Sequence, residues 1–231
     1  MRYENLHNHT VYSDGYYSPD EIINHAIKLG MNGIGISDHY ETRKVKSVYD
    51  LSTYFTALNK LKLYYKGRIN VYVALEIDFS SRTDFGKLEK RKDFIIENCD
   101  YLLFEYVGNE LWSDLETGYF FEVRHWFDSI PVGFAHTFIE RDLLPKVDNL
   151  AQKLNKANVF IELCAGNRNL HQGLPNFISM KDFAVKNREI LFFSAATDTH
   201  NDIEQMSYAA DAYNFIKTNA LQLFRPEIKY P

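Results

Sequence analysis

The chain has 231 residues, 45% hydrophobic and 25% charged, with 26 basic against 31 acidic side chains and a formal net charge of −5. That length suits one domain with a full core, and the acidic balance argues against a long nucleic-acid footprint, which needs a basic face. No stretch reaches the length of a membrane span, no signal segment has room before His7, and two cysteines in apolar runs (Cys99, Cys164) read as unlinked core thiols, so the cytoplasm is the expected compartment.

The first predicted strand ends in Leu6-His7-Asn8-His9-Thr10, followed by Ser13-Asp14-Gly15. Histidines two apart point to one face of a strand, and Asp14 adds a hard oxygen in the next turn. Ser18-Pro19-Asp20-Glu21 opens a helix with a cap, a proline at the first position and acids in the first turn; Gly30 closes it. His25 falls mid-helix and reads as a packing or surface residue. Met31 to His39 is a small-residue strand ending in Ser37-Asp38-His39, which completes a βαβ unit. Residues 40–50 carry Glu41, Arg43, Lys44 and Lys46 and read as a solvated connection at the ligand end, with substrate contact as the second reading.

A helix follows over residues 51–66, then a strand Val71 to Ile77 with Glu76 near its end, a helix Leu88 to Asn98, and a strand Tyr101 to Val107 containing Glu105. A loop with Trp112 leads to an aromatic helix, where His125 takes the same bystander reading as His25. Val132 to His136 is a strand, Leu150 to Ala157 a helix, and Val159 to Leu163 a strand bearing Glu162. Beyond the loop Asn167-Arg168-Asn169, Phe177 to Lys186 reads as a helix, Glu189 to Thr197 as a strand, and residues 202–218 as a helix. About seven strands alternate with helices, and His, Asp or Glu closes five of them. This pattern implies α/β architecture: a closed parallel barrel with its site at the strand C-terminal ends.

The motifs His7-Asn8-His9-Thr10, Ser13-Asp14-Gly15, Ser37-Asp38-His39 and Thr197-Asp198-Thr199-His200 resemble, in order and spacing, those of the PHP (polymerase and histidinol phosphatase) superfamily. The resemblance runs from Met1 to about Asn201. It implies a distorted (β/α)7 TIM-like barrel and two or three divalent ions, for which Zn, Mn and Fe all suit mixed His and carboxylate ligands. It also implies the ligand set. His7, His9, Glu76 and Asp198 would hold one ion; Glu76 would bridge to a second, shared with His136; Asp14, His39 and His200 would hold a third. Asp38 would fix an imidazole, and Glu162 would support the ligands from behind. The family usually has a histidine at the end of the fourth strand; this chain has none there, and Glu105 is the expected replacement. Cys164 stands where the family often has asparagine.

Such a site hydrolyses phosphate esters with metal-activated hydroxide. Glu76 and Asp198 count among the catalytic groups, and Arg168 and Arg141 are candidate guanidinium forks for phosphate. His171 reads as a bystander. The expected activity is a stand-alone phosphatase on a small phosphorylated metabolite, of histidinol phosphate or nucleotide type. A nuclease acting on nucleic-acid ends and a non-catalytic metal-binding module are the alternatives.

Overall fold

The structure is a computed structural model that describes residues 3–166 and 175–230. Eight parallel strands pair in sequence order: β1 (Glu4–Asn5), β2 (Gly33–Ile36), β3 (Asn70–Asp78), β4 (Tyr101–Glu105), β5 (Val132–Phe134), β6 (Val159–Cys164), β7 (Phe192–Ala196) and β8 (Gln222–Leu223). The sheet curls into a distorted TIM-like barrel. Beyond β1, Leu6 N–H donates to Ala195 O at 3.1 Å and His9 N–H to Thr199 O at 2.9 Å, drawing β1 and β7 together at the strand C-terminal end. At the opposite end β8 lies beside the start of β7.

Helices cover the outside: α1 (Pro19–Lys28), α2 (Leu51–Tyr64), α3 (Phe85–Asn98), α4 (Thr117–His125), α5 (Leu150–Lys156), α6 (Asn176–Ser179), α7 (Lys181–Lys186) and α8 (Ala209–Thr218). Their starts are written in the sequence. Ser18 and Glu21 form a reciprocal capping box around Pro19, and Asp50 and Asp84 accept the backbone N–H of Thr53 and Lys87, each at 3.0 Å. Two expected helices are broken. Residues 202–218 begin as a 3-10 turn, Ile203–Tyr208, capped by Asp202, and the stretch from Phe177 splits into α6 and α7 at Met180. A π-helical turn, Ile139–Leu143, follows β5.

Strand alternation divides the core in two. Val71, Val73, Leu75, Leu102, Phe104 and Ile161 join the layer between sheet and helices. Leu6, Tyr72, Ala74, Tyr101, Leu103, Ala135 and Phe160 form a separate cluster inside the barrel. Gly35 and Gly133 are bare for this reason: a Cβ there would stand 2.0 Å from the Tyr101 hydroxyl and 2.2 Å from the Phe160 ring. Phe224 stacks on Phe160 with centroids 3.8 Å apart and plugs the barrel from below. Period two then sets the other end. Following Tyr72 and Ala74, Tyr101 and Leu103, and Phe160, the next inward positions are Glu76, Glu105 and Glu162. Both cysteines are free and buried. Among the described residues no helix is long and apolar enough to cross a membrane.

Candidate metal centre

Seven His, Asp and Glu side chains from five strand ends meet above the aromatic interior. His7 and His9 follow β1, His39 follows β2, Glu76 lies in β3, His136 follows β5, and Asp198 and His200 follow β7. Asp14 enters from the turn after His9. Three residues just beyond strands carry positive φ: Tyr106 (64°), His136 (33°) and Asp198 (50°). L-residues with side chains this large hold that conformation where surrounding structure enforces it, and such positions gather at functional sites.

The spacing of the donor atoms is that of a coordination shell. Donors bound to a tetrahedral divalent ion at ~2.0–2.2 Å lie ~3.3 Å from one another. His7 Nε2 and His9 Nε2 are 3.0 Å apart. His7 Nε2 lies 3.4 Å from Glu76 Oε1 and 3.4 Å from Asp198 Oδ1. His9 Nε2 lies 3.3 Å from Glu76 Oε2 and 3.1 Å from Asp198 Oδ1. A second group joins Asp14 to His200 Nε2 at 3.4 Å, His9 Nδ1 at 3.5 Å and His39 Nε2 at 3.6 Å. A third joins His39 Nδ1 to Glu76 Oε2 at 3.1 Å and Glu105 Oε1 at 3.5 Å. His9 and His39 thus face one group with each ring nitrogen. Glu76 Oε2, which lies between His9 Nε2 and His39 Nδ1, is a buried atom without a hydrogen-bond partner. Buried polar atoms left in this state cost free energy, and divalent ions satisfy them. The residues fit a multi-ion site.

Other residues fix the ligands. Glu162 Oε2 accepts from His7 Nδ1 at 2.8 Å, which turns Nε2 toward the cluster, while its Oε1 accepts the His136 backbone N–H at 3.0 Å. His200 Nδ1 donates to Asp198 O at 3.0 Å. Such outer partners set tautomer and ring orientation. Asp38 acts differently from expectation. It accepts from Thr10 N at 2.7 Å, Thr10 Oγ1 at 2.8 Å and Ser13 Oγ at 2.6 Å, so it holds the turn leading to Asp14 rather than an imidazole.

The electrostatics follow from crowding charges in a dry place. Burial alone would depress His39 and His200. Glu76, Asp14 and Glu105 around His39, and Asp198 and Asp14 around His200, outweigh it and lift each to about 9. Burial would raise the carboxyls of Glu76 and Asp198, yet His7 with His39, and His200 with His7, hold them well below the usual range. Glu105 goes the other way: burial and the nearby Glu76 carboxylate raise it, against the pull of His39 and Lys44.

The sequence of residues 5–219 matches the PHP domain family. The chain belongs to this family. No curated protein matches it. Among solved structures, histidinol phosphate phosphatase (HisK) from Lactococcus lactis, determined with Zn, L-histidinol and phosphate, superposes with a TM-score of 0.70 at 16% identity, covering 98% of this chain and 97% of that one. A putative histidinol phosphatase from Listeria monocytogenes follows at 0.64 and 13% identity, covering 91% and 99%. At these identities the likeness is one of fold.

Within the PHP barrel, not every expected group sits where the sequence suggested. Glu105 was expected as a ligand of the ion shared by Glu76 and His136; His136 Nε2 does meet Glu76 Oε1, at 3.2 Å, while Glu105 groups with Glu76 and His39 and also faces the ammonium of Lys44. Arg141 lines the cleft, where its guanidinium donates from Nε and Nη2 to Asp142 at 2.6 and 2.8 Å and keeps its remaining N–H groups for solvent or a ligand. Arg168 and His171 lie outside the described residues. His25 and His125 stand away from the centre, near Glu204 and Asp128. Sequence reasoning missed Tyr106, and it ranked the loop of Lys44 as a solvated connection. Both border a cleft of about 960 Å³ above the ligands, with Trp112 and Phe138 on its walls.

Proposed function

We propose that this PHP protein is a metal-dependent phosphoesterase that removes phosphate from a small phosphorylated metabolite. The observation that carries the reading is the set of buried donor atoms spaced as coordination shells on the floor of an open cleft. His7, His9, Glu76 and Asp198 would hold one ion, Asp14, His39 and His200 another, and His136 completes the wall beside Glu76. Zn, Mn and Fe all suit these donors. When bound, such ions neutralise the phosphoryl oxygens and lower the pKa of a water toward ~7, which provides the nucleophile.

The chain's own residues do the rest. Glu162 keeps the His7 ring from rotating, Asp38 keeps the turn of Asp14 in register, and the apolar barrel interior closes the floor to solvent. Above the floor, Trp112 and Phe138 offer flat faces and Asp202 a carboxylate. These suit an alcohol that carries a ring and an amine, so histidinol phosphate, whose alcohol and phosphate are bound in the Lactococcus structure, is the first substrate to try.

Phosphate release from histidinol phosphate, nucleoside monophosphates and an aryl phosphate, before and after chelation, tests the reading. Release should require the metal and be abolished in His9→Ala and Asp198→Ala. Cleavage confined to single-stranded DNA ends would replace the phosphatase by a nuclease. Metal retained with no release from any ester would leave a binding module.

A further inference from the structure

Lys44 lies in the charged stretch between β2 and α2, and this stretch is anchored rather than loose. Glu41 is held by Lys87 and Arg91 of α3, the latter at 3.1 Å, and Val48 N–H donates to His39 O at 2.9 Å. The anchoring delivers the Lys44 ammonium to the edge of the metal centre. There it lies 3.1 and 3.3 Å from the two oxygens of Glu105, donates to the Tyr106 hydroxyl, and stands 4.0 Å from the centroid of the Tyr106 ring. Glu105 is 1% exposed and sits 3.5 Å from His39 Nδ1; the Lys44 side chain is 19% exposed and borders the cleft. The left-handed backbone of Tyr106, φ 64°, belongs to the same arrangement as those of His136 and Asp198.

We infer that Lys44 is a fixed cation of this site, standing on Glu105 in place of a divalent ion and binding the phosphoryl oxygens of an anionic substrate. Both Glu105 oxygens are already neutralised by the ammonium. A divalent ion on the same carboxylate would stand within a few ångströms of that positive charge, in surroundings that screen it poorly. An ammonium is a compact point charge with three rotatable donors, a form proteins use to hold phosphate. Tyr106 takes one N–H and the two oxygens of Glu105 share a second, which leaves the third for a ligand in the cleft. The ions therefore belong to the His7/His9/Glu76/Asp198 and Asp14/His39/His200 groups, and Lys44 supplies the next positive charge along the cleft. The choice of a phosphoryl ligand rests on the phosphoesterase reading.

The test uses wild type, Lys44→Met, Lys44→Arg and Glu105→Gln, each loaded with Zn and checked for native circular dichroism. Metal per chain is read by elemental analysis, and binding of inorganic phosphate by calorimetry. Lys44→Met should weaken phosphate about ten- to a hundredfold, as expected for a lost charge-assisted hydrogen bond, with Lys44→Arg restoring most of it. Glu105→Gln should keep the wild-type metal count. Unchanged phosphate affinity in Lys44→Met, or one ion lost in Glu105→Gln, overturns the inference. Neither readout needs turnover. A wild-type chain that binds phosphate through Lys44 yet cleaves no ester overturns the phosphoesterase reading alone, and one that holds metal but no phosphate overturns both.

Discussion

The two ends of the barrel bury charge in opposite ways. At the lower end Asp100 accepts from Lys62 Nζ at 2.6 Å, Val73 N at 2.7 Å and Lys229 N at 2.7 Å, so a carboxylate in the core has every oxygen engaged. At the upper end Glu76 and His39 keep atoms that approach each other without a hydrogen bond, and three nearby residues hold left-handed backbone. One end is closed by its own side chains and by the Phe160–Phe224 stack. The other gathers three groups of side chains able to hold metal ions. Buried charge by itself therefore does not mark a functional site, and neither does one unpartnered atom, since Glu4 Oε2 at the lower end is another; the upper end stands apart because several such side chains converge there.

The contrast can be broken first where it is most costly. Asp100→Ala leaves the Lys62 ammonium and two backbone N–H groups without their acceptor, and should destabilise the metal-free chain by about 3–5 kcal/mol in urea melts. Its zinc content should stay at the wild-type level; a lost ion would show that the two ends are not independent. At the upper end, Glu162→Gln removes the charge behind His7 and should weaken metal binding about 10–100-fold in competition with a chelator, with little change in the stability of the stripped protein.

The smallest effect is a sign. His39 and His200, both raised to about 9 in the metal-free fold, have unfolded values near ~6.5. Their contribution is fully present below ~6.5 and is lost as pH rises through about 9, so thermal melts of the stripped chain should show stability falling over that interval. With zinc the order reverses, because the ring nitrogens must lose their protons to bind, and acid should destabilise the loaded protein. A stripped chain that gains stability from pH 6.5 to 9 would refute the charge assignment.

Much of the upper end was legible because it obeys strand alternation. Once Tyr72 and Ala74 point inward, so does Glu76, and the same counting places Glu105 and Glu162. What alternation does not carry is which neighbour each carboxylate meets. Glu105 was read as a ligand in place of a fourth-strand histidine; that Lys44 also stands on it was not legible, because a lysine in a run with Glu41, Arg43 and Lys46 looks like any solvated residue until its loop is seen tied to α3. Asp38 likewise meets the hydroxyls of Thr10 and Ser13, which lie nearer than any imidazole. Tyr106 gave no signal in one dimension, since its role depends on a backbone angle. β8 was missed because two residues show no period, and the plug formed by Phe224 depends on where the chain after β8 is carried.

The closure between β1 and β7 also sets a timetable. Asn5 and Thr197, 192 residues apart, share side-chain and backbone hydrogen bonds of 2.6 and 3.1 Å. At ribosomal rates of about 5–20 residues per second, His7 and His9 are made roughly 10–40 s before Asp198. Through that interval the nascent chain offers an ion two imidazoles but lacks the carboxylate from β7 that completes their group. Asp198 and His200 join these groups only when β7 meets β1, so the last of the donors arrives with the closing of the barrel.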